Sequence, residues 1–250
     1  MTHPSRRVLP PLNAVIFDLG GTLIYPTTTP ADNLAAFERW LRTRDLPEAL
    51  GAAVRDARRW MWEMTEATGR QYTTQEALHR AFTQLSLPMP DAATVAEAEQ
   101  AFFAPELAGY QPFPESLALL RRLRAARIRT ACISNASSDW LITQIVDRMG
   151  FRAYLDPVVS SAGYGRVKPD PGIFRLVLGQ WGLPAERAVM IGDTLSADIA
   201  GGRGVGMRTI YVTMTPNPEN VNHRHVAADV DAPTLRDAGR VLLRWAGSSA

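Results

Sequence analysis

An α/β fold, with a doubly wound parallel sheet and an inserted all-helical unit, follows from three observations. Short and almost wholly apolar runs recur along the chain, at 12–17, 128–133, 157–160, 188–191 and 209–212. From residue 115 onward, segments with helical spacing of apolar residues separate these runs. A long stretch, 27–109, carries helical patterns and no strand pattern. Strands alternating with helices argue for βαβ units and hence a parallel sheet. Strands of such a sheet are buried on both faces and should be uniformly apolar, as these runs are.

Each element has its own warrant. The first run, LNAVIF, reads as a buried strand that breaks into the glycine turn Asp18-Leu19-Gly20-Gly21-Thr22. The strandless stretch holds four helical patterns, 31–44, 47–68, 73–87 and 92–108, separated by Pro47, Gly69 and the Pro88/Pro90 pair. Thr73 with Glu76 three residues on makes a capping box, and Asp91 stands at the N-cap position of the fourth helix. Within the second pattern Trp60 and Met64 lie four apart and read as its core stripe, with Arg58 and Arg59 facing water. Phe37 and Trp40 read as core in the same way. Beyond the insert, 115–126 carries leucines at 117, 119, 120 and 123, and 138–149 and 173–181 are similar crossover helices. The expected division is an α/β, Rossmann-like core from residues 1–25 plus 112–250, and a helical cap from 26–111. Tyr25-Pro26 and Pro112–Pro114 are the expected hinges, and the tail 247–250 is expected to be loose.

Composition narrows the function classes. At 46% hydrophobic and 21% charged residues the chain reads as globular rather than disordered. A net charge of +2 is too balanced for a nucleic-acid-binding surface. The single cysteine, Cys132, excludes an intrachain disulfide and zinc sites built from several thiolates. No apolar run approaches the roughly 18 residues of a membrane span. Met1–Pro11 holds Arg6 and Arg7 with no apolar segment behind them, unlike a secretory signal. The expectation is a cytoplasmic protein, monomer or homodimer, with neither nucleic acid nor membrane as partner.

In an open parallel sheet reactive groups collect at the carboxyl ends of the strands. The residues just past each expected strand form a coherent set. Asp18, Gly20, Gly21 and Thr22 follow the first, and Ser134 and Asn135 the second. Lys168, ahead of Pro169-Asp170-Pro171, lies on the loop past the third; Asp193 and Thr194 follow the fourth, with Asp198 close behind. Taken singly, each fits a structural role: Gly20-Gly21 a turn, Asp170 and Asp193 helix caps, Thr22 and Ser134 satisfied loop hydroxyls. Together, three carboxylates, an ammonium and two hydroxyls would share one crevice. Crowded carboxylates repel unless a cation joins them, and oxygen-rich, sulfur-poor ligands favour Mg²⁺. A metal, a lysine and hydroxyl and amide donors suit a phosphoryl group. Lys168 is the only lysine among 27 basic residues, which points to a position where a planar guanidinium cannot replace a compact ammonium.

Asp18-Leu19-Gly20-Gly21-Thr22, Ser134-Asn135, Lys168-Pro169-Asp170-Pro171 and Gly192-Asp193-Thr194 with Asp198-Ile199 resemble the four ordered motifs of the haloacid dehalogenase-like hydrolases. The helical insert falls where subfamily I members carry a cap. The resemblance implies that Asp18 is a nucleophile forming an aspartyl-phosphate with a small phosphorylated substrate. It implies that Asp18, Asp193 and the Gly20 carbonyl hold Mg²⁺, and that Thr22 and Ser134 position phosphoryl oxygens. Gly21 and Asn135 would contribute to that phosphate site, Lys168 would neutralise nucleophile and phosphate, and Asp198 would orient metal-bound water or Lys168.

One position departs from the family pattern. Its phosphatases carry a second aspartate two residues after the nucleophile, as acid and base, and here that position is Gly20. Such help is worth about 10²–10⁴ in rate. Three readings follow: an enzyme for good leaving groups or of modest rate, an acid supplied by the cap (His79, Glu63 or Glu66), or a weak enzyme kept for binding or regulation. 2-Haloacid dehalogenation also needs no second aspartate, but dehalogenases of the family use no metal, so Asp193 and Asp198 argue against it. A phosphonate-cleaving relative needs a cap lysine, and the insert has none. His223 and His225 read as solvated loop residues, and Arg203 and Arg208 as surface cover.

Overall fold

The computed structural model describes residues 10–247, so most of the N-terminal segment and the expected loose tail lie outside them. Ala14–Phe17 forms β1, wholly buried, and Ile24–Tyr25 forms the short β2 beyond the glycine turn. Four helices follow: α1 (Pro30–Thr43), α2 (Ala49–Thr68), α3 (Thr74–Gln84) and α4 (Ala92–Gly109). Local chemistry sets their ends. Thr73 and Glu76 close the expected capping box on α3, Asp91 accepts from the Thr94 N–H at α4, and α2 stops at a left-handed Gly69. α1 packs chiefly on α4, and α2 on α3.

Gln111–Pro112 then forms β3 and pairs antiparallel with β2, Tyr25 opposite Gln111 and Ile24 opposite Pro112. The two expected hinges are therefore one ribbon, which brings both ends of the insert to the same place. Two-residue strands leave no periodicity to read.

The remaining elements are α5 (Ser116–Ala125), β4 (Arg129–Ser134), α6 (Asp139–Arg148), β5 (Val158–Ser160), α7 (Ser161–Tyr164), α8 (Pro171–Trp181), β6 (Ala188–Gly192), α9 (Ala200–Gly204), β7 (Arg208–Val212), β8 (Val230–Ala232) and α10 (Leu235–Trp245). A π-helical turn, Leu195–Ile199, leads into α9. The sheet runs β5-β4-β1-β6-β7-β8, and every neighbouring pair is parallel. The chain leaves central β1 toward β4 and β5, then returns to place β6, β7 and β8 on the other side. This reversal opens a crevice at the carboxyl end of β1. β8 was not expected, because its three residues centre on exposed Asp231.

Two apolar clusters sandwich the sheet. Ala14 and Ile16 face Phe174 and Val177 of α8, whereas Val15 and Phe17 belong to a cluster that continues into the insert through Phe37, Met61 and Phe102. The insert thus shares its core with one face of the sheet. In α2 the buried stripe is Leu50, Val54, Ala57, Met61 and Thr65; Trp60 and Met64, the expected stripe, are half-buried one position off that face. Phe37 is buried as expected and Trp40 half-buried against it, ring centres 5.6 Å apart. Arg203 is exposed, but Arg208 is buried: its guanidinium lies 5.0 Å from the centre of Trp245 and donates to the carbonyls of Pro10 and Glu186.

Candidate active site

The strand ends meet around one buried ammonium. Lys168 Nζ donates to Asp18 Oδ1 at 2.7 Å, to Asp198 Oδ1 at 2.7 Å and to the Ile133 carbonyl at 2.8 Å. Asp18 is delivered by β1, Ile133 by β4 and Asp198 by the π-helical turn beyond β6. Three acceptors therefore saturate three N–H donors. Burial works against the charge on Lys168, but the two carboxylates outweigh it and hold the amine above its ordinary value. A guanidinium could not place three short bonds around one point, which accounts for the lone lysine here.

Asp193, at the end of β6, completes the acidic group: it, Asp18 and Asp198 each offer an oxygen within 4.8 Å of the others. Burial, then the nearby Asp18 charge, pushes the Asp193 carboxyl up to about 6. Burial also pushes Asp198 up, to about 7, against the pull of Lys168. Oxygen-only donors in a buried, electrically strained cluster fit a small hard cation such as Mg²⁺. Thr22 supplies a second sign of a missing partner. It is fully buried, and its Oγ1 has no hydrogen-bond partner among the described residues; a hydroxyl left so costs about 1–3 kcal/mol.

Gly21 is required twice over. Its φ of +74° favours glycine, and a Cβ there would strike the Asp193 carboxylate. Gly20 is the opposite case: it is exposed, and a Cβ there would meet nothing within 4 Å. Ser134 is buried at the end of β4 and borders the cavity described below. Asn135 borders the same cavity and has a further contact. Its amide donates to the Lys168 carbonyl at 3.2 Å and accepts from the Lys168 N–H at 2.8 Å, so its side chain clamps the lysine loop. Asp170 caps α8 through Gly172 N–H at 2.9 Å, as its purely structural reading has it.

Two residues of this site carried no sequence signal. Asn217 donates to Asp193 Oδ2 and to Thr194 Oγ1, both at 2.9 Å. Asn220 donates to the Asp193 carbonyl at 2.8 Å and accepts from Leu195 N–H at 2.7 Å. Both come from the polar loop after β7, whose histidines stay apart from the site: His223 is half-buried, His225 exposed, and neither joins the acidic group.

Beside Gly20, Ser134 and Asn135 opens a cavity of about 490 Å³, walled on its far side by Asn33, Arg58, Phe102 and Glu106 of the insert. Arg58 therefore turns inward, whereas Arg59 is exposed. The cap residues expected to deliver an acid do not line it: His79, Glu63 and Glu66 are exposed elsewhere on the insert. The proton carriers that do line it are Glu106 and Tyr110. Glu106 accepts from Asn33 Nδ2 at 2.6 Å and from Tyr110 Oη at 3.0 Å. Burial, then the charge of Glu106, holds the Tyr110 phenol above its ordinary value, so it is a weak acid.

A parallel sheet whose switch point gathers an aspartate, a lysine and two further carboxylates beside a helical insert has the make-up of a hydrolase centre. The family described as haloacid dehalogenase-like hydrolase matches residues 12–206, and the chain belongs to it. Among curated proteins it is 29% identical to a ribulose-1,5-bisphosphate 5-phosphatase of Halopiger xanaduensis, over 79% of this chain and 83% of that one. It is 30% identical to a phosphoglycolate phosphatase of Rhodospirillum rubrum, over 80% and 79%. Among solved structures, a 2-haloacid dehalogenase from Pseudomonas syringae pv. Tomato DC3000 superposes with a TM-score of 0.70 at 26% identity, covering 94% of this chain and 99% of that one.

Proposed function

We propose that this hydrolase is a Mg²⁺-dependent phosphatase of small phosphate monoesters that works through an aspartyl-phosphate on Asp18. The observation that carries the reading is the junction of Asp18, Lys168, Asp198 and Asp193 in one crevice, with a cavity opening beside it. The phosphatase names of the two curated relatives support it. In this reading residues 26–111 act as a cap over the core formed by 1–25 and 112–250.

Asp18, Asp193 and the Gly20 carbonyl would hold the metal. When bound, it would neutralise the carboxylates and withdraw charge from the phosphoryl oxygens. Asp18 attacks phosphorus in line; its carboxylate oxygen forms the new bond, and the ester oxygen departs with the electrons of the bond that breaks. Lys168 offsets the negative charge that nucleophile and phosphoryl group bring together. The Thr22 and Ser134 hydroxyls and the N–H groups of the Asp18 loop orient the phosphoryl oxygens. Asn135 fixes the lysine loop, Asp198 anchors the ammonium, and Asn217 orients Asp193. Water then attacks phosphorus, releasing inorganic phosphate and restoring the Asp18 carboxylate.

With Gly20 in the acid position, the departing oxygen takes its proton from solvent. Both Glu106 oxygens are engaged, by Asn33 and by Tyr110, and Tyr110 is a weak acid, so neither replaces the missing aspartate. Esters with stable leaving groups are therefore favoured, and alkyl esters react slowly. Displacing halide from a 2-halo acid uses no metal, and so gives no use for the oxygen-only cluster of Asp18, Asp193 and Asp198. The test is hydrolysis of para-nitrophenyl phosphate with Mg²⁺ and with chelator, beside halide release from 2-chloropropionate. Metal-dependent phosphate release is expected; metal-independent halide release would overturn the reading.

Among the described residues, no helix is long and apolar enough to cross a membrane.

A further inference from the structure

Arg58 is a cation in an apolar place. Its guanidinium carbon sits 4.3 Å from the ring centre of Phe102 and 5.4 Å from that of Phe103. Its Nη1 donates to Thr74 Oγ1 at 2.7 Å, and Thr74 Oγ1 in turn meets Ser137 Oγ at 2.9 Å. That chain ties the guanidinium to the loop that begins at Ser134, the expected phosphoryl contact.

Among the described residues Arg58 makes no ion pair. The carboxylates whose charge it feels are engaged by other donors: Glu106 by Asn33 and Tyr110, Glu99 by Gln75 Nε2 at 2.7 Å. Burial lowers its pKa only to about 10, so the charge persists at neutral pH. A half-buried cation against aromatic rings and without an ionic partner is unfavourable unless a ligand supplies one. The guanidinium lines the cavity together with apolar side chains, among them Leu34, Phe102, Leu141, Ile142 and Ile145. A planar fork with free N–H groups in such a wall matches a carboxylate or phosphoryl oxygen pair.

We infer that Arg58 is a subsite for a second anionic group, carboxylate or phosphoryl, carried on the leaving-group side of an ester whose body is apolar. The inference rests on the phosphatase reading for the position of the first phosphate. Hydroxyls placed against Leu34, Ile142 and Ile145 would stay unpaired, so that part of the cavity takes an apolar body. The apolar body packs on those side chains, and the two anionic ends are read by the Asp18 crevice and by Arg58.

The test uses ortho-, meta- and para-carboxyphenyl phosphate, each against its carbamoylphenyl twin of equal shape, with phenylene bisphosphates to separate carboxylate from phosphoryl recognition. At least one charged isomer is expected to exceed its neutral twin in kcat/KM by about tenfold, since one well-placed ionic contact is worth that much. In Arg58→Met that preference should shrink to about twofold or less. If Arg58→Met fails to fold, Arg58→Gln, which can still donate to Thr74, takes its place. Equal rates for every charged and neutral pair, or a preference that survives both substitutions, would overturn the subsite. If no ester is turned over at all, titration of carboxybenzylphosphonate against benzylphosphonate separates the two claims. An Arg58-dependent preference for the carboxylate would then sink the phosphatase reading alone, and equal binding would sink the subsite.

Discussion

The strand-end loops of the core and the helices of the insert border the same cavity, yet they are built by opposite rules. In the loops, polar groups are buried and, Thr22 apart, satisfy one another: Lys168 has three acceptors, Asp198 also accepts from the Thr194 N–H, and Asn135 clamps the lysine backbone from both sides. In the insert the wall is largely apolar, and its polar groups come from several helices, among them Asn33 on α1, Arg55 and Arg58 on α2 and Glu106 on α4. The acid–lysine cluster is assembled by local backbone geometry, and the shape of the cavity by long-range packing. A change in a core loop should therefore act on rate or metal for every substrate, whereas a change in the insert should act on choice among substrates.

The largest expected effect is that of Asp193→Asn. It should abolish the rise in thermal midpoint that Mg²⁺ produces and lower turnover on the order of 10³-fold, the worth of several kcal/mol of charge stabilisation. The metal-free variant should nonetheless melt higher than the parent at neutral pH. The Asp193 carboxyl is raised to about 6 from 3.8, so its charge destabilises the fold above that value. That difference should fade as pH falls from about 6 to below 4, where folded and unfolded chains are both protonated. Melting curves across this range, with and without Mg²⁺, check both statements.

Next in size, Lys168→Arg should cost about 10²-fold or more in kcat for every ester tried. A near-normal variant would break the comparison, because it would make the core loops as tolerant as the insert. Gly20→Asp should act in the other direction. The open space at Gly20 admits a side chain without displacing a neighbour, and the added acid should raise alkyl phosphate hydrolysis by about 10²-fold. The gain should be smaller for para-nitrophenyl phosphate, whose leaving group needs no proton; an equal gain for both would argue against general acid catalysis. Asn217→Ala should have the smallest effect, weakening Mg²⁺ binding by about tenfold in calorimetric titration. Unchanged affinity would mean that Asn217 only closes its loop.

The sequence was most legible where residue type and backbone demand coincide. Gly21 had to be glycine for its positive φ and for the approach of Asp193, and Lys168 stood out because its site excludes guanidinium. The five apolar runs became β1, β4, β5, β6 and β7; apart from the half-buried edge strand β5, strands so buried admit little else. β2, β3 and β8 are too short to carry a pattern, and they exist because neighbours offer them hydrogen bonds. Asn217 and Asn220 could not be found, since asparagine in a Pro-containing loop reads equally well as turn chemistry. Arg58 was read as solvent-facing because the α2 stripe was placed one residue away from Met61, which turns its neighbours by about a hundred degrees. The same shift hid the part of the cavity wall that α2 supplies, which includes Arg58 but neither Glu63 nor Glu66.

Peptide mass mapping of Asp18, on protein quenched in acid during turnover in heavy-oxygen water, tests the central claim most directly. The account predicts a phosphoryl group on the peptide that carries Asp18, and a carboxylate that keeps its ordinary oxygens after the phosphate has left. Heavy oxygen in the Asp18 carboxylate, which marks attack by water at carbon, or a phosphoryl group on any other residue, would contradict it.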